Sequence, residues 1–135
     1  PRGHRLSKEV IGMNNGAMFK LSYGLFVVTA NKGGKDNGCI TNTAIQVASE
    51  PNTISISVNK ANYTHDMIQE TGIFTVSVLS TEADFSIYKR FGFQSGKTVD
   101  KFDDFPAPVS ANGLKYISSS VAAFINSLYK YGIRR

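Results

Sequence analysis

The chain is 135 residues long, with 41% hydrophobic and 19% charged residues, which excludes a disordered chain and is typical of one globular domain with a real core. The formal net charge of +5 favours anionic partners, but the basic residues are scattered without an aromatic-basic stripe, which argues against nucleic-acid binding. Cys39 is the only cysteine, which excludes an internal disulfide and a multi-cysteine metal site and favours a reducing cytoplasm. No apolar run approaches the length of a membrane span.

The first residues lack a clear pattern. Residues 1–12 are basic and patternless, so we interpret them as a flexible N-terminal extension and residues 13–135 as a single domain. A short helical turn is predicted over residues 15–22, with three apolar side chains turned inward: Met18, Phe19 and Leu21.

A hairpin is predicted next. Residues 23–30 are apolar on both faces and rich in β-branched and aromatic side chains, which predicts a central strand. Gly-Gly and Asn-Gly within residues 31–38 predict a turn, and residues 39–48 form the returning segment. Its polar middle, Thr41-Asn42-Thr43, is either a bend that leaves backbone groups free for a flat heterocycle or an ordinary Thr-rich strand on an exposed face.

After a turn at residues 49–52, the alternation of residues 53–59 predicts a strand with one apolar face. Asn62 predicts the N-cap of a helix that runs to about residue 70 and stops at Gly72. Lys60, the Asn62 amide and the Thr64 hydroxyl at this helix end offer several donors to a phosphate, and the helix dipole favours an anion there. The alternative is an ordinary helix cap beside a solvated lysine.

A strand and a second helix are predicted from the following pattern. Residues 73–79 alternate, which predicts Phe74, Val76 and Val78 inward and Thr75 and Ser77 outward. A helix is predicted to begin at Thr81, with Asp84 near the capping-box position, and to end at Gly92. Its predicted inner face consists of Phe85, Ile87, Tyr88 and Phe91.

The remaining residues predict a long loop and two short strands. Within the loop, at residues 93–106, three phenylalanines need cover: Phe93, Phe102 and Phe105. The same loop is predicted to present a polar, basic edge formed by Ser95, Lys97 and Lys101, either as a lid or as an anchored loop. Residues 113–117 and 121–125 are predicted strands, and residues 126–135 have no clear period.

Several of these segments occur in the order of a known family. They are Gly24 to Ala30, Asn37-Gly38, Thr41 to Pro51, Ile56 to Ile68, Gly72 to Leu79 and Phe91 to Phe102. As an ordered set they resemble the flavin reductase-like, FMN-binding split-barrel family, most closely its flavoredoxin and high-molecular-weight rubredoxin branch. The resemblance covers about residues 16 to 125.

The resemblance implies a mainly β fold with short helices, an antiparallel split β-barrel of about six strands that binds FMN non-covalently, and a homodimer with the flavin near the subunit interface. It implies that the isoalloxazine edge lies along four residues: Thr41, Asn42, Thr43 and Ala44. It implies that the phosphate lies at Asn59, Lys60, Asn62 and Thr64, in agreement with the helix-end argument. The loop with Phe93, Ser95, Lys97 and Lys101 is similar to one that lies close to the flavin and, in relatives, near the nicotinamide.

By the same resemblance, the chain is expected to be an NAD(P)H-dependent flavin reductase-type oxidoreductase. Electrons would pass from NADH or NADPH through FMN, expected rather than FAD, to free flavin, ferric iron, or a rubredoxin or diiron-flavin partner protein. Hydride transfer to the flavin requires no acid or base from the protein, so no catalytic residue is predicted. With one cysteine, and with His4 and His65 far apart in the sequence, no metal site is predicted either. A flavin-binding relay module without a nicotinamide site and a flavin-free interaction domain are the alternatives.

One departure bears on these alternatives. Family members usually continue past the strand matching residues 121–125 with a further pair of strands, whereas only residues 126–135 remain here. We therefore expect either that the domain is shortened at its C-terminus or that its end has diverged from the family. Either alternative bears more on catalytic competence than on flavin binding.

Overall fold

The structure, a computed structural model, describes residue 21 and residues 23–127. Within these residues it contains six strands and two helices, in the order β1 (Phe26–Lys32), β2 (Lys35–Thr41), β3 (Ala44–Ser49), β4 (Asn52–Ile56), α1 (Tyr63–Thr71), β5 (Ile73–Val78), α2 (Phe85–Gly92) and β6 (Ala122–Ser127). The helical turn predicted over residues 15–22 lies outside the described residues except for Leu21. That side chain is 61% exposed, so its predicted inward position is wrong.

The strands form two antiparallel sheets. One has the order β2-β1-β5-β6, and the other is the hairpin of β3 and β4, whose register shifts between Gln46 and Ala48. This arrangement confirms the predicted mainly β, antiparallel class with short helices. Residues 113–117 contribute only the bridge of Val109 with Lys115, so the strand predicted there is wrong.

The turn between β1 and β2 is shorter than predicted. Gly33 and Gly34 have φ angles of 60° and 82°, as a two-residue hairpin turn requires, and β2 already begins at Lys35. Gly38 lies inside β2, where an added Cβ would come within 3.1 Å of Thr29 and 3.2 Å of Phe91. Close packing of α2 on β2 therefore explains a glycine that the sequence pattern assigned to the turn.

Helix α1 agrees with its predicted caps. The Asn62 side chain accepts a hydrogen bond from the Thr64 amide, and Gly72, with φ of 74°, donates from its amide to the Ile68 carbonyl. The preceding strand ends at Ile56 and not at residue 59. The chain turns at Asn59, because its side chain accepts from the Ala61 amide and its carbonyl accepts from the Asn62 amide.

The apolar core lies on both faces of the larger sheet. Val27 and Val28 are consecutive residues of β1, so they point to opposite faces, and both are fully buried. One cluster includes Val28, Met67 of α1 and Phe74, and the other includes Val27, Phe91 of α2 and Ile117. The sheet is thus covered by α1 on one face and by α2 and the loops on the other.

Because both faces of the larger sheet are covered, the predicted outward position of two β5 side chains is wrong. Thr75 and Ser77, predicted to face outward, have no exposed surface. The Ser77 hydroxyl accepts a hydrogen bond from the Ile117 amide at 3.0 Å, and the Thr75 hydroxyl lies 3.4 Å from the Asn112 side-chain oxygen. Both hydroxyls face the segment that packs over this side of the sheet.

Helix α2 begins later than predicted. Asp84, not Thr81, is its N-cap and accepts from the Ser86 amide at 2.8 Å. Ile87 and Phe91 are buried as predicted, but Phe85 is 59% exposed and lies outside the inner face. The helix ends at Gly92 as predicted.

Candidate functional site

The end of β2 is held in a bend. The Thr41 hydroxyl donates to the Ser57 carbonyl at 2.6 Å and accepts from the Thr43 amide at 3.2 Å, while the Ser57 amide donates to the Thr43 carbonyl at 3.2 Å. β2 therefore stops at Thr41 and β3 starts at Ala44. This confirms the first of the two interpretations as far as the bend is concerned, and the bend faces the segment that leads to α1.

A cavity of about 520 Å³, here called the bend cavity, lies between these two segments. Five polar residues line it: Thr41, Asn42, Ser57, Asn59 and Asn62. Its other side chains are apolar or weakly polar: Leu25, Cys39, Ile40 and Val58. The size of this cavity is typical of a small-molecule site, and its mixed polar and apolar lining suits a ligand that carries hydrogen-bonding groups.

A second cavity, here called the helix-end cavity, lies at the N-terminus of α1. It has a volume of about 280 Å³, and Asn62 and Tyr63 line it together with Ser95, Gly96 and Lys101 from the loop after α2. Because Asn62 lines both cavities, the bend cavity and the helix-end cavity adjoin at the helix cap.

Lys101 places a positive charge at the helix-end cavity. Its side chain is only 2% exposed, and its amino group donates to the carbonyls of Gly38 at 2.8 Å and Phe91 at 3.0 Å. Burial lowers the pKa of Lys101, and the nearby Cys39 opposes that shift. The predicted exposed basic edge is therefore wrong for Lys101, because this side chain anchors its loop from inside.

A second lysine, which the sequence pattern did not single out, lies beside the same cavity. The amino group of Lys35 donates to the Gly96 carbonyl at 2.6 Å and lies 5.2 Å from the centre of the Tyr63 ring. Gly96 is packed so closely that an added Cβ would come within 2.1 Å of the Asn37 side chain. Asn37 in turn donates to the Thr64 hydroxyl at 3.0 Å, so the loop, β2 and α1 meet at this point.

The structure moves two predicted phosphate residues away from these cavities. Thr64 has no exposed surface, and its hydroxyl faces Asn37 in the interior, so it offers nothing to a ligand. Lys60 lines a different cavity of about 250 Å³ together with His65. The helix-end cavity is lined by Ala61 and Asn62 but not by Lys60, so the structure does not bring Lys60 to this cavity.

The other predicted site residues divide between the cavities. Thr41, Asn42, Asn59 and Asn62 meet in the bend cavity, and Phe93 and Ser95 line the helix-end cavity with Asn62. Thr43 lies outside both linings, and its hydroxyl donates to the Asn42 side chain at 3.0 Å. Ala44 lines a cavity of about 430 Å³ beside the β3–β4 hairpin, and Lys97 is exposed outside both linings.

Cys39 adds a thiol to the wall of the bend cavity. Its side chain is 1% exposed, and burial raises the pKa of the Cys39 thiol although a hydrogen bond with Thr64 and the charge of Lys101 oppose the shift. The thiol is therefore kept protonated at neutral pH. No motif or spacing in the sequence marks Cys39 as part of this wall.

Comparison with known proteins identifies the family. The model of the flavin reductase like domain matches residues 18–129, so the chain belongs to the flavin reductase-like family. Together with similar solved structures, this confirms the predicted split-barrel fold. The resemblance drawn from the ordered motifs is thereby confirmed.

Two curated relatives and one solved structure are informative. The chain is 40% identical to a high-molecular-weight rubredoxin of Moorella thermoacetica, over 85% of this chain and 50% of that protein. It is 36% identical to a ferric-chelate reductase (NAD(P)H) of Archaeoglobus fulgidus, over 82% of this chain and 66% of that protein. The NADH:FAD oxidoreductase SgcE6 of Streptomyces globisporus, solved with NAD and FAD fragments, is 25% identical with a TM-score of 0.71, over 80% of this chain and 63% of that chain.

Two further properties bear on the class of site. Among the described residues, no three His, Cys, Asp or Glu side chains are grouped to hold a metal ion. Neither α1 nor α2 combines the length and the apolar composition that crossing a membrane requires.

Proposed function

We propose that this domain binds FMN non-covalently and passes electrons from NADH or NADPH through the flavin to an acceptor. The observation that carries the proposal is the position of Asn62, which joins the bend cavity to the helix-end cavity. The two cavities form a trough whose first part suits a ring system and whose second part suits an anion. An FMN molecule has these two parts in the same order.

The bend cavity fits the isoalloxazine ring. Its wall combines the apolar side chains of Leu25, Ile40 and Val58 with the amides and hydroxyls of Thr41 and Asn42. A flavin ring is flat, apolar at one end and rich in hydrogen-bonding groups at the other, so this division of the wall matches it. Thr41 and Asn42 remain our proposed ring contacts. Thr43 and Ala44 are assigned only the backbone bend that shapes the wall.

The helix-end cavity fits the phosphate. The first turn of α1 favours an anion through the positive end of the helix dipole. The Ser95 hydroxyl supplies a donor, and Lys101 lines the cavity with an ammonium group that has three N–H donors, two of which are bonded to carbonyls. Lys35 adds charge beside Gly96. These residues replace Lys60 and Thr64 in the proposed phosphate site, and Asn59 and Asn62 remain in the trough. Lys97, predicted in the loop near the flavin, is left out of the trough.

In the proposed reaction the protein binds and orients. Bound flavin supplies the hydride-accepting chemistry, and the trough supplies a fixed wall, donors along one edge and charge at the phosphate. No side chain is assigned as an acid or a base. The names of the relatives support a nicotinamide donor and suggest ferric iron, free flavin or a rubredoxin-type protein as the acceptor. FMN is proposed in preference to FAD because the two cavities of the trough provide for one ring system and one phosphate.

We also propose a homodimer and a cytoplasmic location. Ile45 and Val47 of β3 are 57% and 56% exposed, and Phe124 of β6 is 47% exposed near the same hairpin cavity. Apolar side chains grouped at a surface groove support an interface with a second copy. The single buried cysteine, Cys39, fits a reducing compartment. Sedimentation of the purified chain tests the dimer.

The visible spectrum of the purified protein with added FMN tests the proposed function. We expect a shifted flavin spectrum and quenched fluorescence on binding, followed by bleaching when NADH or NADPH is added without oxygen. Bound flavin that is not bleached by either nucleotide would instead support an electron-relay module. Failure to bind FMN would contradict the proposal and support a flavin-free interaction domain.

A further inference from the structure

A cavity that the proposed flavin site does not use lies between α1 and the end of β4. It is the cavity of about 250 Å³ that Lys60 and His65 line, here called the Lys60 cavity. Its other lining residues are Ile56, Ser57, Val58, Ile68 and Gln69. Ser57 and Val58 also line the bend cavity, so the two cavities adjoin along this part of the chain. A ligand in the Lys60 cavity therefore lies close to the proposed ring site.

Three polar groups of the Lys60 cavity are hydrogen-bond donors that the protein does not use. Among the described residues, the Lys60 amino group, the Ser57 hydroxyl and the Gln69 amide have no hydrogen-bond or ion-pair partner. The Ser57 backbone is fixed by its bonds to Thr41 and Thr43, which form the bend. The three groups can donate to a ligand without breaking a bond inside the protein.

The charge of Lys60 is not balanced within its cavity. Among the described residues, no Asp or Glu lines the Lys60 cavity, and the Asp66 carboxylate contacts the His65 ring at 3.1 Å from outside the lining. Lys35 and Lys101, in contrast, are bonded to backbone carbonyls. An unbalanced positive charge in a concave site raises the local concentration of anions, so the Lys60 cavity favours an anionic ligand.

The size and the donors of the Lys60 cavity fit a small carboxylate. Its volume lies below the range typical of drug-sized ligands, so it suits a small ion better than a second flavin. Carboxylate oxygens accept hydrogen bonds from ammonium, hydroxyl and amide groups, and the bond with an ammonium group is the strongest of these. Of the proposed electron acceptors, ferric iron is the one that small carboxylates such as citrate keep dissolved at neutral pH.

We propose that the Lys60 cavity is the docking site of a ferric polycarboxylate complex that takes electrons from the flavin. This inference rests on the proposed function, because the bend cavity must hold the flavin ring for electrons to cross at Ser57 and Val58. A carboxylate of the complex binds Lys60, with Ser57 and Gln69 as neutral donors. Two ferric complexes in turn take one electron each from one reduced flavin, FMNH₂. The products are two ferrous complexes, FMN and two protons, which pass to water.

The test measures binding and electron transfer separately. Gallium citrate, whose metal has the charge of ferric iron but is not reduced by flavin, is titrated into the FMN-loaded protein by calorimetry. NADH-reduced protein is mixed in a stopped-flow spectrometer either with ferric citrate without oxygen or with oxygen alone. Lys60→Met should weaken gallium citrate, and raise the half-saturating concentration of ferric citrate, about tenfold through the loss of one charge-assisted hydrogen bond. Reduction by NADH and reoxidation by uncharged oxygen should not change.

Two further pairs of variants control for surface charge. Lys97→Met removes the same charge from an exposed lysine outside the Lys60 cavity, so it should change neither quantity. Gln69→Glu adds a carboxylate to the lining and should weaken gallium citrate at least tenfold, because like charges a few ångströms apart repel. Ser118→Asp adds the same charge at an exposed serine outside the lining and should have no effect.

Several results would overturn the docking site. Equal losses in Lys60→Met and Lys97→Met, or no loss in either, would show that Lys60 has no special role. Gallium citrate binding that depends on Lys60, together with ferric citrate reduction that does not, would leave a carboxylate site without a role in electron transfer. Weaker FMN binding in Lys60→Met would assign Lys60 to the flavin.

The same measurements separate this inference from the proposed function. If the wild-type protein fails to bind FMN, the proposed function fails and the acceptor site fails with it. If FMN binds and NADH bleaches it but gallium citrate does not bind, only the acceptor site fails.

Discussion

The amino group of Lys101 lies 2.8 Å from the carbonyl oxygen of Gly38, which joins the loop after α2 to the middle of β2. A second bond at 3.0 Å to the Phe91 carbonyl holds the same amino group to the end of α2. The loop that contributes Ser95 and Gly96 to the helix-end cavity is thus fixed from the interior of the protein. Of the two interpretations of this loop, the anchored one is confirmed.

Lys101→Met should destabilise the fold. The substitution keeps the apolar stem but leaves the buried carbonyls of Gly38 and Phe91 without their donor, and such losses cost about 1–3 kcal/mol. Urea unfolding followed by circular dichroism measures the difference. Lys97→Met is the matched control, because Lys97 is exposed, and it should change stability by less than about 0.5 kcal/mol. Equal effects of the two substitutions would contradict the anchoring role.

The contribution of Lys101 to stability should rise with pH. Burial lowers the pKa of Lys101 below 10.5, so between the two pKa values the unfolded chain binds more protons than the folded chain. A neutral amine keeps two N–H groups for its two carbonyl partners. The stability difference between wild type and Lys101→Met should therefore grow as the pH rises from neutral toward 10.5. A difference that shrinks over this range would contradict the desolvation argument.

Gly96→Ala should weaken FMN binding. The new methyl group would overlap the Asn37 amide, which is held in place by Thr64, so the loop and its Ser95 hydroxyl must shift. We expect at least a tenfold loss of FMN affinity, because displacing the loop removes phosphate donors. Fluorescence titration measures it. Asn37→Ala combined with Gly96→Ala removes the overlap and should restore part of the affinity, whereas additive losses would contradict this cause.

Thr64→Val should affect stability and not phosphate selectivity. The Thr64 hydroxyl is buried against Asn37, so its removal leaves a buried amide without its acceptor, at a cost of about 1–3 kcal/mol. The ratio of FMN to riboflavin affinity should not change, because the hydroxyl does not reach the helix-end cavity. A selective loss for FMN would restore Thr64 to the phosphate site.

How much the sequence could predict depended on how local each signal was. Helix α1 was predicted with both caps, because Asn62 and Gly72 act within one turn of the residues that they cap. The family and the bend at Thr41 were predicted for the same reason, since ordered motifs and polar runs are read directly from the chain. Four of the predicted ligand residues meet in the bend cavity: Thr41, Asn42, Asn59 and Asn62.

The incorrect predictions concern residues whose surroundings come from distant segments. Asn37-Gly38 has the composition of a turn, but both residues lie in β2 and pair with β1, and Phe91 of the distant helix α2 packs against Gly38. The alternation of apolar and polar residues in β5 predicts which side chains share a face of the sheet. It does not predict that the segment containing Ile117 covers the face with Ser77. From its neighbours in the sequence Lys101 was predicted to be exposed. It is buried because its amino group bonds to the carbonyls of residues distant in the chain, such as Gly38.

The central claim is that the phosphate of a bound flavin lies in the helix-end cavity. The most direct test is the ratio of the protein's affinities for FMN and riboflavin. Wild type should prefer FMN, because riboflavin lacks the phosphate. The Ser95 hydroxyl oxygen accepts a hydrogen bond from the Lys97 amide at 3.2 Å. Ser95→Asp keeps an acceptor for this amide but adds a negative charge to the helix-end cavity.

This charge should lower FMN affinity about tenfold or more while riboflavin is unaffected, because like charges a few ångströms apart repel. Ser118→Asp, an exposed serine outside the cavity, and Lys60→Ala should leave the preference unchanged. Loss of the FMN preference in Ser95→Asp alone is the predicted result. Equal binding of FMN and riboflavin by wild type, or an FMN preference that survives Ser95→Asp and disappears in Lys60→Ala, would contradict the proposed site.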